Sequence, residues 1–155
     1  MSRQPICVLF VCLGNICRSP MAEGVMLQKL KQRKLTDRFV VDSAGTAGYH
    51  QGESADRRTL EVLNRVGAPM PSLSRKVVDG DFQTFDWIFA MDSANYRDLL
   101  RRAPEQGRAK VCMLLEPCGG GDVPDPYYGG VDGFDTVYGM VDEALDLWLE
   151  RIEIQ

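Results

Sequence analysis

The chain has a single histidine, His50, which stands far in sequence from any paired cysteines. That absence removes the common zinc signatures, and neither a metal nor another cofactor is expected. Positive charge is not in excess either: 18 lysines and arginines face 22 aspartates and glutamates, a net charge of −4. A chain of that sign has no electrostatic footprint for nucleic acid, so none is expected as a partner. No apolar run approaches the roughly 18 residues that cross a bilayer, and no membrane partner is expected. The first residues carry one arginine and run straight into an apolar stretch at Ile6, which does not read as a signal peptide. The five cysteines, Cys7, Cys12, Cys17, Cys112 and Cys118, are odd in number and lack disulfide-scaffold spacing. They point to a reducing compartment, and a cytoplasmic location is expected.

Hydrophobic residues make up 45% of the chain and charged residues 26%, proportions that suit a globular protein with a packed core. At 155 residues, one domain spanning 1–155 is expected. The pattern alternates strands and helices. Ile6 to Val11 is a continuous apolar run, as a strand covered on both faces requires. Residues 20–34 read as a helix with Ala22, Val25, Met26 and Leu30 on one face, and Lys29, Lys31, Arg33 and Lys34 as its wet side. Phe39 to Asp42, Trp87 to Met91 and Val111 to Leu115 read as further strands. A helix from Asp56 to Val66 is stopped by Gly67 and Pro69, and Asp92 or Ser93 caps another. Phe134, Val137, Tyr138, Val141, Leu145, Trp148, Leu149 and Ile152 keep helical spacing along the last segment. This order predicts an α/β fold in three layers: a four-stranded parallel sheet with helices on both faces.

The segment that carries chemistry follows the first strand. Cys12 and Arg18 stand six positions apart around Leu13-Gly14-Asn15-Ile16-Cys17, and Ser19-Pro20 opens the next helix, with Pro20 suited to its first position. Successive N–H groups of a tight loop form a concave nest for a tetrahedral oxyanion, and a helix start adds its unpaired donors and its dipole. Arg18 adds a planar fork that grips two oxygens at once. Such a field favours a thiolate at Cys12, placed beneath a bound phosphoryl group for in-line attack. A buried core cysteine is the plainer reading of Cys12, but it leaves Arg18 and the glycine loop without a purpose.

A second candidate lies in Gly119 to Gly130, a long stretch without helical or strand periodicity that holds Asp125-Pro126-Tyr127-Tyr128. Asp125 reads either as the start of an Asp-Pro turn or as a carboxylic acid on a loop. In the second role it protonates a leaving oxygen and then activates water. Beside the Cys12 loop, the second reading is favoured. Tyr49, Tyr127 and Tyr128 sit on two loops able to face the nest, with Leu13 and Ile16 as apolar neighbours. Such walls suit a flat aryl phosphate, although packing on the core is the alternative for the tyrosines. His50 reads as an exposed residue or as a contact to a protein substrate. Asp92 reads as a helix cap or as a contact to the site.

The segment Val11 to Glu23 resembles the signature of the low-molecular-weight protein tyrosine phosphatases. Val41-Asp42-Ser43-Ala44, Phe85 to Ile88, Met91-Asp92 and Asp125 to Gly129 follow in matching order. The resemblance implies a strand order of 2-1-3-4 and a phosphocysteine intermediate on Cys12. It implies Arg18 as the phosphate ligand, Asn15 as the residue holding the loop, and a Ser19 hydroxyl bonded to the Cys12 thiolate. It makes Asp125 the general acid, and tyrosine-phosphorylated proteins or peptides the partners, with phosphate and other oxyanions as inhibitors. Related phosphatases acting on phosphoarginine have threonine where Ile16 stands, so Ile16 favours phosphotyrosine. Cys17 is implied as a redox guard, trapping oxidised Cys12 as a reversible disulfide. Two rivals remain. A related arsenate reductase needs two relay cysteines; Cys112 and Cys118 are a pair, but they follow the fourth strand rather than lying near the third. A phosphotyrosine-binding module would need neither Cys12 nor Asp125.

Overall fold

Side chains along Ile6–Cys12 alternate between two separate cores, which is why that run is apolar throughout. In the computed structural model, which describes residues 4–154, this strand is β1. Val8, Phe10 and Cys12 point into one cluster, Leu9 and Val11 into the other. β2 (Phe39–Gly45), β3 (Trp87–Ala90) and β4 (Lys110–Met113) complete one parallel sheet in the order β2-β1-β3-β4, the order that the sequence resemblance implies. Three helices cover the Phe10 face: α1 (Arg18–Gln32), α2 (Arg57–Arg65) and α5 (Val131–Ile154). Two lie on the Leu9 face: α3 (Asp81–Thr84) and α4 (Ser93–Arg102). The three layers are thus those expected. Among the described residues, no helix is long and apolar enough to cross a membrane.

The helix signals read from the sequence have physical counterparts. Asp56 caps α2 by accepting the Arg58 N–H at 2.8 Å, and Gly67 follows that helix with φ +76, a conformation a side chain would strain. Trp148 of α5 buries its ring against Phe89 and donates its Nε1–H to Leu114 O at 2.7 Å. That bond satisfies the polar atom of an otherwise apolar ring.

Two expectations are corrected, and one element goes beyond them. The first helix begins at Arg18, so Pro20 is its third residue rather than its first. The missing N–H costs nothing there, because the first four N–H groups of a helix have no intrahelical partner. Lys29 does not lie on a wet face. It is buried where α1 packs along α5, with Nζ 2.7 Å from both Asp142 and Asp146. Burial opposes its charge, but the two carboxylates outweigh burial and raise its pKa. Lys31, Arg33 and Lys34 are exposed, as expected. Finally, α3 was not legible, since four residues are too few to show a helical period.

β1 is the strand at which the winding reverses. The chain leaves it for β2 on one side and returns past it to β3 on the other. A crevice opens at the carboxyl ends of strands at such a point. Cys12 is the last residue of β1, so the fold carries it to that crevice.

Candidate active site

The loop after β1 is turned inside out. Its carbonyls bond outward: Cys12 O accepts from Thr46 N–H (2.9 Å), Leu13 O from Ala47 N–H (3.0 Å) and Ile16 O from Asp56 N–H (2.7 Å). Gly14 O takes the Ser74 hydroxyl at 3.1 Å and Cys17 O the Thr59 hydroxyl at 3.2 Å. The N–H groups of residues 14–17 meet no acceptor among the described residues. With carbonyls outward, those donors form a concave positive nest.

Asn15 makes this shape possible. It adopts φ 55, a left-handed conformation that costs free energy for a residue with a side chain. It is buried, and its side chain is held on every side. Nδ2 donates to Ser19 Oγ (2.8 Å) and Ser43 Oγ (3.0 Å), and Oδ1 accepts the Arg75 N–H (3.0 Å). Since both amide hydrogens go to serine oxygens, the Ser19 hydrogen has two acceptors in reach, Cys12 Sγ and, at 3.4 Å, Ala44 O. Cys12 Sγ lies 3.0 Å from Ser19 Oγ.

Arg18 is 3% exposed, not a surface residue. Its Nη1 donates to Asp92 Oδ2 at 2.6 Å and to Val123 O at 3.1 Å, while Nη2 lies 3.8 Å from Asp125 Oδ2. Burial opposes the guanidinium charge, but Cys12, Asp92 and Asp125 together outweigh burial and raise its pKa. Both readings of Asp92 hold at once: Oδ1 caps α4 by accepting Asn95 N–H at 2.8 Å, and Oδ2 fixes Arg18. Burial, reinforced by Asp56, Cys12 and Asp125, pushes the Cys17 thiol far up, so it stays protonated.

A cavity of about 280 Å³ opens over the loop. Cys12, Leu13, Gly14, Ile16, Cys17 and Arg18 form its floor; Asp125, Tyr49, Tyr127, Tyr128 and His50 form its walls. The thiol loop, Asp125, the three tyrosines and His50 are therefore gathered here, with Asn15 and Ser19 beneath the floor; Cys112 in β4 and Cys118 after it are not part of the lining. The tyrosines do not pack on the core. Tyr49 and Tyr128 are 75% and 94% exposed, and Tyr127 meets Tyr128 edge-on with ring centroids 4.8 Å apart. His50 is half-buried against Gly14 and bonded to Glu53 at 2.7 Å. Sequence reasoning missed the supporting residues Ser43, Ser74, Arg75 and Arg58. Arg58 ties the wall to α2 by donating to Tyr127 O at 3.1 Å and to Asp56. Of these, only Asp56-Arg58 had a local signal, the helix start.

Gly45, at the end of β2, tests how tightly this loop is built. A Cβ there would lie 2.7 Å from Leu13 O and 2.8 Å from Ala47 O, both backbone atoms that cannot swing aside. Gly45→Ala is expected to cost about 1–3 kcal/mol of stability and to weaken inorganic phosphate binding. Denaturant unfolding and phosphate titration check this; an unchanged midpoint and unchanged binding would refute it.

A buried thiol beside a loop of unpaired N–H groups thus lies at the reversal point of a four-stranded parallel sheet of the α/β class. Comparison with known proteins gives the family. The family model for low molecular weight phosphotyrosine protein phosphatase matches residues 7–155. The low molecular weight phosphotyrosine protein phosphatase of Schizosaccharomyces pombe is 50% identical over 135 residues, covering 84% of this chain and 86% of the relative. A crystal structure of an Entamoeba histolytica protein tyrosine phosphatase superposes with a TM-score of 0.91 at 45% identity, covering 96% of this chain and 97% of that one. A Drosophila arginine phosphatase structure matches with a TM-score of 0.89 at 34% identity, covering 94% and 96%. The chain belongs to the low-molecular-weight phosphotyrosine protein phosphatase family, and is a phosphoric monoester hydrolase.

Proposed function

We propose that the chain, as one catalytic unit over 1–155, hydrolyses phosphotyrosine in proteins and peptides, and small aryl phosphates, in the cytoplasm. The observation that carries this reading is the inverted loop between Cys12 and Arg18, whose N–H groups at residues 14–17 are unpaired among the described residues while Asp92 and Val123 O fix Arg18 at its end. In the first step the Cys12 thiolate attacks phosphorus as the bond to the phenolic oxygen breaks, and Asp125 gives that oxygen a proton. The N–H groups of Leu13, Gly14, Asn15, Ile16 and Cys17, with the Arg18 fork, hold the equatorial oxygens. In the second step the Asp125 carboxylate takes a proton from water, which displaces the Cys12 sulfur and releases phosphate. Ser19 donates to the thiolate at the start and again as it leaves. Phosphate and other oxyanions compete for the same nest.

Tyr49, Tyr127 and Tyr128 clasp the phenyl ring, and Ile16 keeps the floor beside it apolar, which favours a phosphotyrosine over a guanidinium-bearing phosphoarginine. Cys17, adjacent in the same floor, is assigned the redox role. A peroxide oxidises Cys12 to the sulfenic acid, and the Cys17 sulfur displaces water to form a disulfide that thiols reverse.

The test separates proton donation from binding. Asp125→Ala is expected to lower kcat on a phosphotyrosine peptide by about 10²–10³-fold. On p-nitrophenyl phosphate, whose leaving group needs little protonation, the loss in that step is smaller. Because Asp125 also serves the second step, which both substrates share, the discriminating quantity is kcat/KM, which reports the first step. Equal losses of kcat/KM on both substrates would remove Asp125 from the acid role, and no turnover of either by the unaltered protein would remove the reading.

A further inference from the structure

Glu23 stands one helical turn beyond Ser19 on α1, is 4% exposed, and has no role in the steps above. Its Oε1 lies 2.5 Å from Ser43 Oγ and 3.0 Å from Ser72 Oγ, and its Oε2 accepts the Ser72 N–H at 2.9 Å. Ser72 Oγ also lies 2.9 Å from Asp42 Oδ1.

Glu23 and Ser43 are buried while Ser72 sits at the solvent edge, and counting hydrogens points to what this cluster is. Ser43 accepts from Asn15, so its own hydrogen goes to Glu23. Ser72 is different: one hydroxyl hydrogen faces two carboxyl oxygens, and a hydroxyl donates once. With both carboxyls ionised, one of the two contacts sets acceptor against acceptor. A proton on a carboxyl removes the conflict. Asp42 is the one kept ionic, because Arg75 Nε donates to it at 3.0 Å and the Ser43 N–H at 2.8 Å. Among the described residues no cation pairs with Glu23.

We propose that Glu23 is a positioning residue that carries a proton, donating it to Ser72 while Ser72 donates to Asp42, and that this proton locks the phosphate loop from below. Two routes connect it to the loop. One runs Glu23–Ser43–Asn15–Ser19–Cys12 through the bonds already given. The other runs through the segment after Ser72, where Ser74 holds Gly14 O and Arg75 N–H holds Asn15 Oδ1. The link to turnover rests on the phosphatase reading; the proton itself does not.

Burial pushes the Glu23 carboxyl up and the nearby Asp42 charge adds to this, against hydrogen bonds from Ser43 and Ser72 that pull it down; the net shift is upward. The charged groups facing it are Asp42 on β2, Arg75 beyond Asp42, and Asp81 of α3 on the far side of Arg75. Below its raised pKa Glu23 holds the proton and the chain of bonds is complete. As pH rises through that pKa the proton leaves, two carboxylates face each other across Ser72, and the segment after Ser72 loosens.

Infrared difference spectra of the intact protein, unaltered against Glu23→Gln, test the proton directly. A carboxylic-acid carbonyl band is expected in the unaltered protein at mildly acidic pH, lost on titration above the ordinary carboxylate range. Asp42→Asn, which removes the neighbouring charge, is expected to move that titration downward and keeps the test open should Glu23→Gln fail to fold. In kinetics on p-nitrophenyl phosphate, Glu23→Ala is expected to lower kcat about tenfold or more with KM within about twofold. Glu23→Gln, whose amide is a permanent donor, recovers most of that loss and its rate declines less on the alkaline side. No acid band, or titration at an ordinary carboxylate pKa, overturns the inference even in an active enzyme. An acid band in a protein that turns over no aryl phosphate overturns the phosphatase reading instead.

Discussion

Cys12→Ser is expected to abolish turnover, a loss of about 10⁵-fold or more, while phosphate still binds. The two halves of that expectation come from different atoms. Attack needs an anionic nucleophile at neutral or mildly acidic pH, and a serine hydroxyl is not ionised there by a nest of donors. Binding needs the loop N–H groups and Arg18, and their positions are fixed by bonds to Thr46, Ala47, Asp56, Thr59, Ser74 and Asp92 that do not involve the sulfur. Serine at position 12 keeps a bond to Ser19, so the fold is untouched. Steady-state assay on p-nitrophenyl phosphate and calorimetric titration with inorganic phosphate separate the two. Residual activity near that of the unaltered protein would mean that Cys12 is not the nucleophile. Loss of phosphate binding along with turnover would mean that the sulfur shapes the loop rather than reacting in it.

Apart from Asp125 and the tyrosines, which stand out on aperiodic loops, the part of this site that can be read in the sequence is the part built from neighbours. Cys12 to Ser19 form one turn and a helix start, so spacing alone brings thiol, nest and arginine together. The strands were legible because β1 packs on both faces and must be apolar at each position. What could not be read is what the fold brings from afar. Ser43, Ser72, Ser74 and Arg75 are ordinary polar residues in sequence, and only the parallel pairing of β1 with β2, with the segment after Ser72 running beside Gly45, sets them under the loop. Lys29 had a local signal that its charge masked: it is spaced with Ala22, Val25 and Met26 on the apolar face of α1, and the two aspartates of α5, more than a hundred residues later in the chain, make a buried site for its ammonium. Asp92 was readable as a cap because that role is local; its bond to Arg18 spans 74 positions and leaves no local trace.

Arg18 carries the second large expectation. Arg18→Lys keeps the charge and loses the fork, and it is expected to lower kcat by about 10²–10³-fold; Arg18→Ala, which loses both, by about 10³–10⁴-fold. The geometry explains why charge alone is not enough. Asp92 and Val123 O both take Nη1, which leaves Nη2 and Nε as the donors able to face a phosphoryl group as its charge shifts in the transition state. A lysine ammonium has a single donor centre, so it can meet Asp92 or the phosphoryl oxygens but cannot span both at fixed angles. Burial also keeps the interaction from being screened, so the loss should persist at high ionic strength. If Arg18 serves mainly to hold ground-state phosphate, KM rises and kcat stays; if it stabilises the transferring group, kcat falls with KM little changed. The second pattern is expected, since Asp92 and Val123 O hold the guanidinium in place before a substrate arrives. Equal kcat for Arg18→Lys and the unaltered protein would show that a point charge suffices, and that the planar fork plays no part in the reaction.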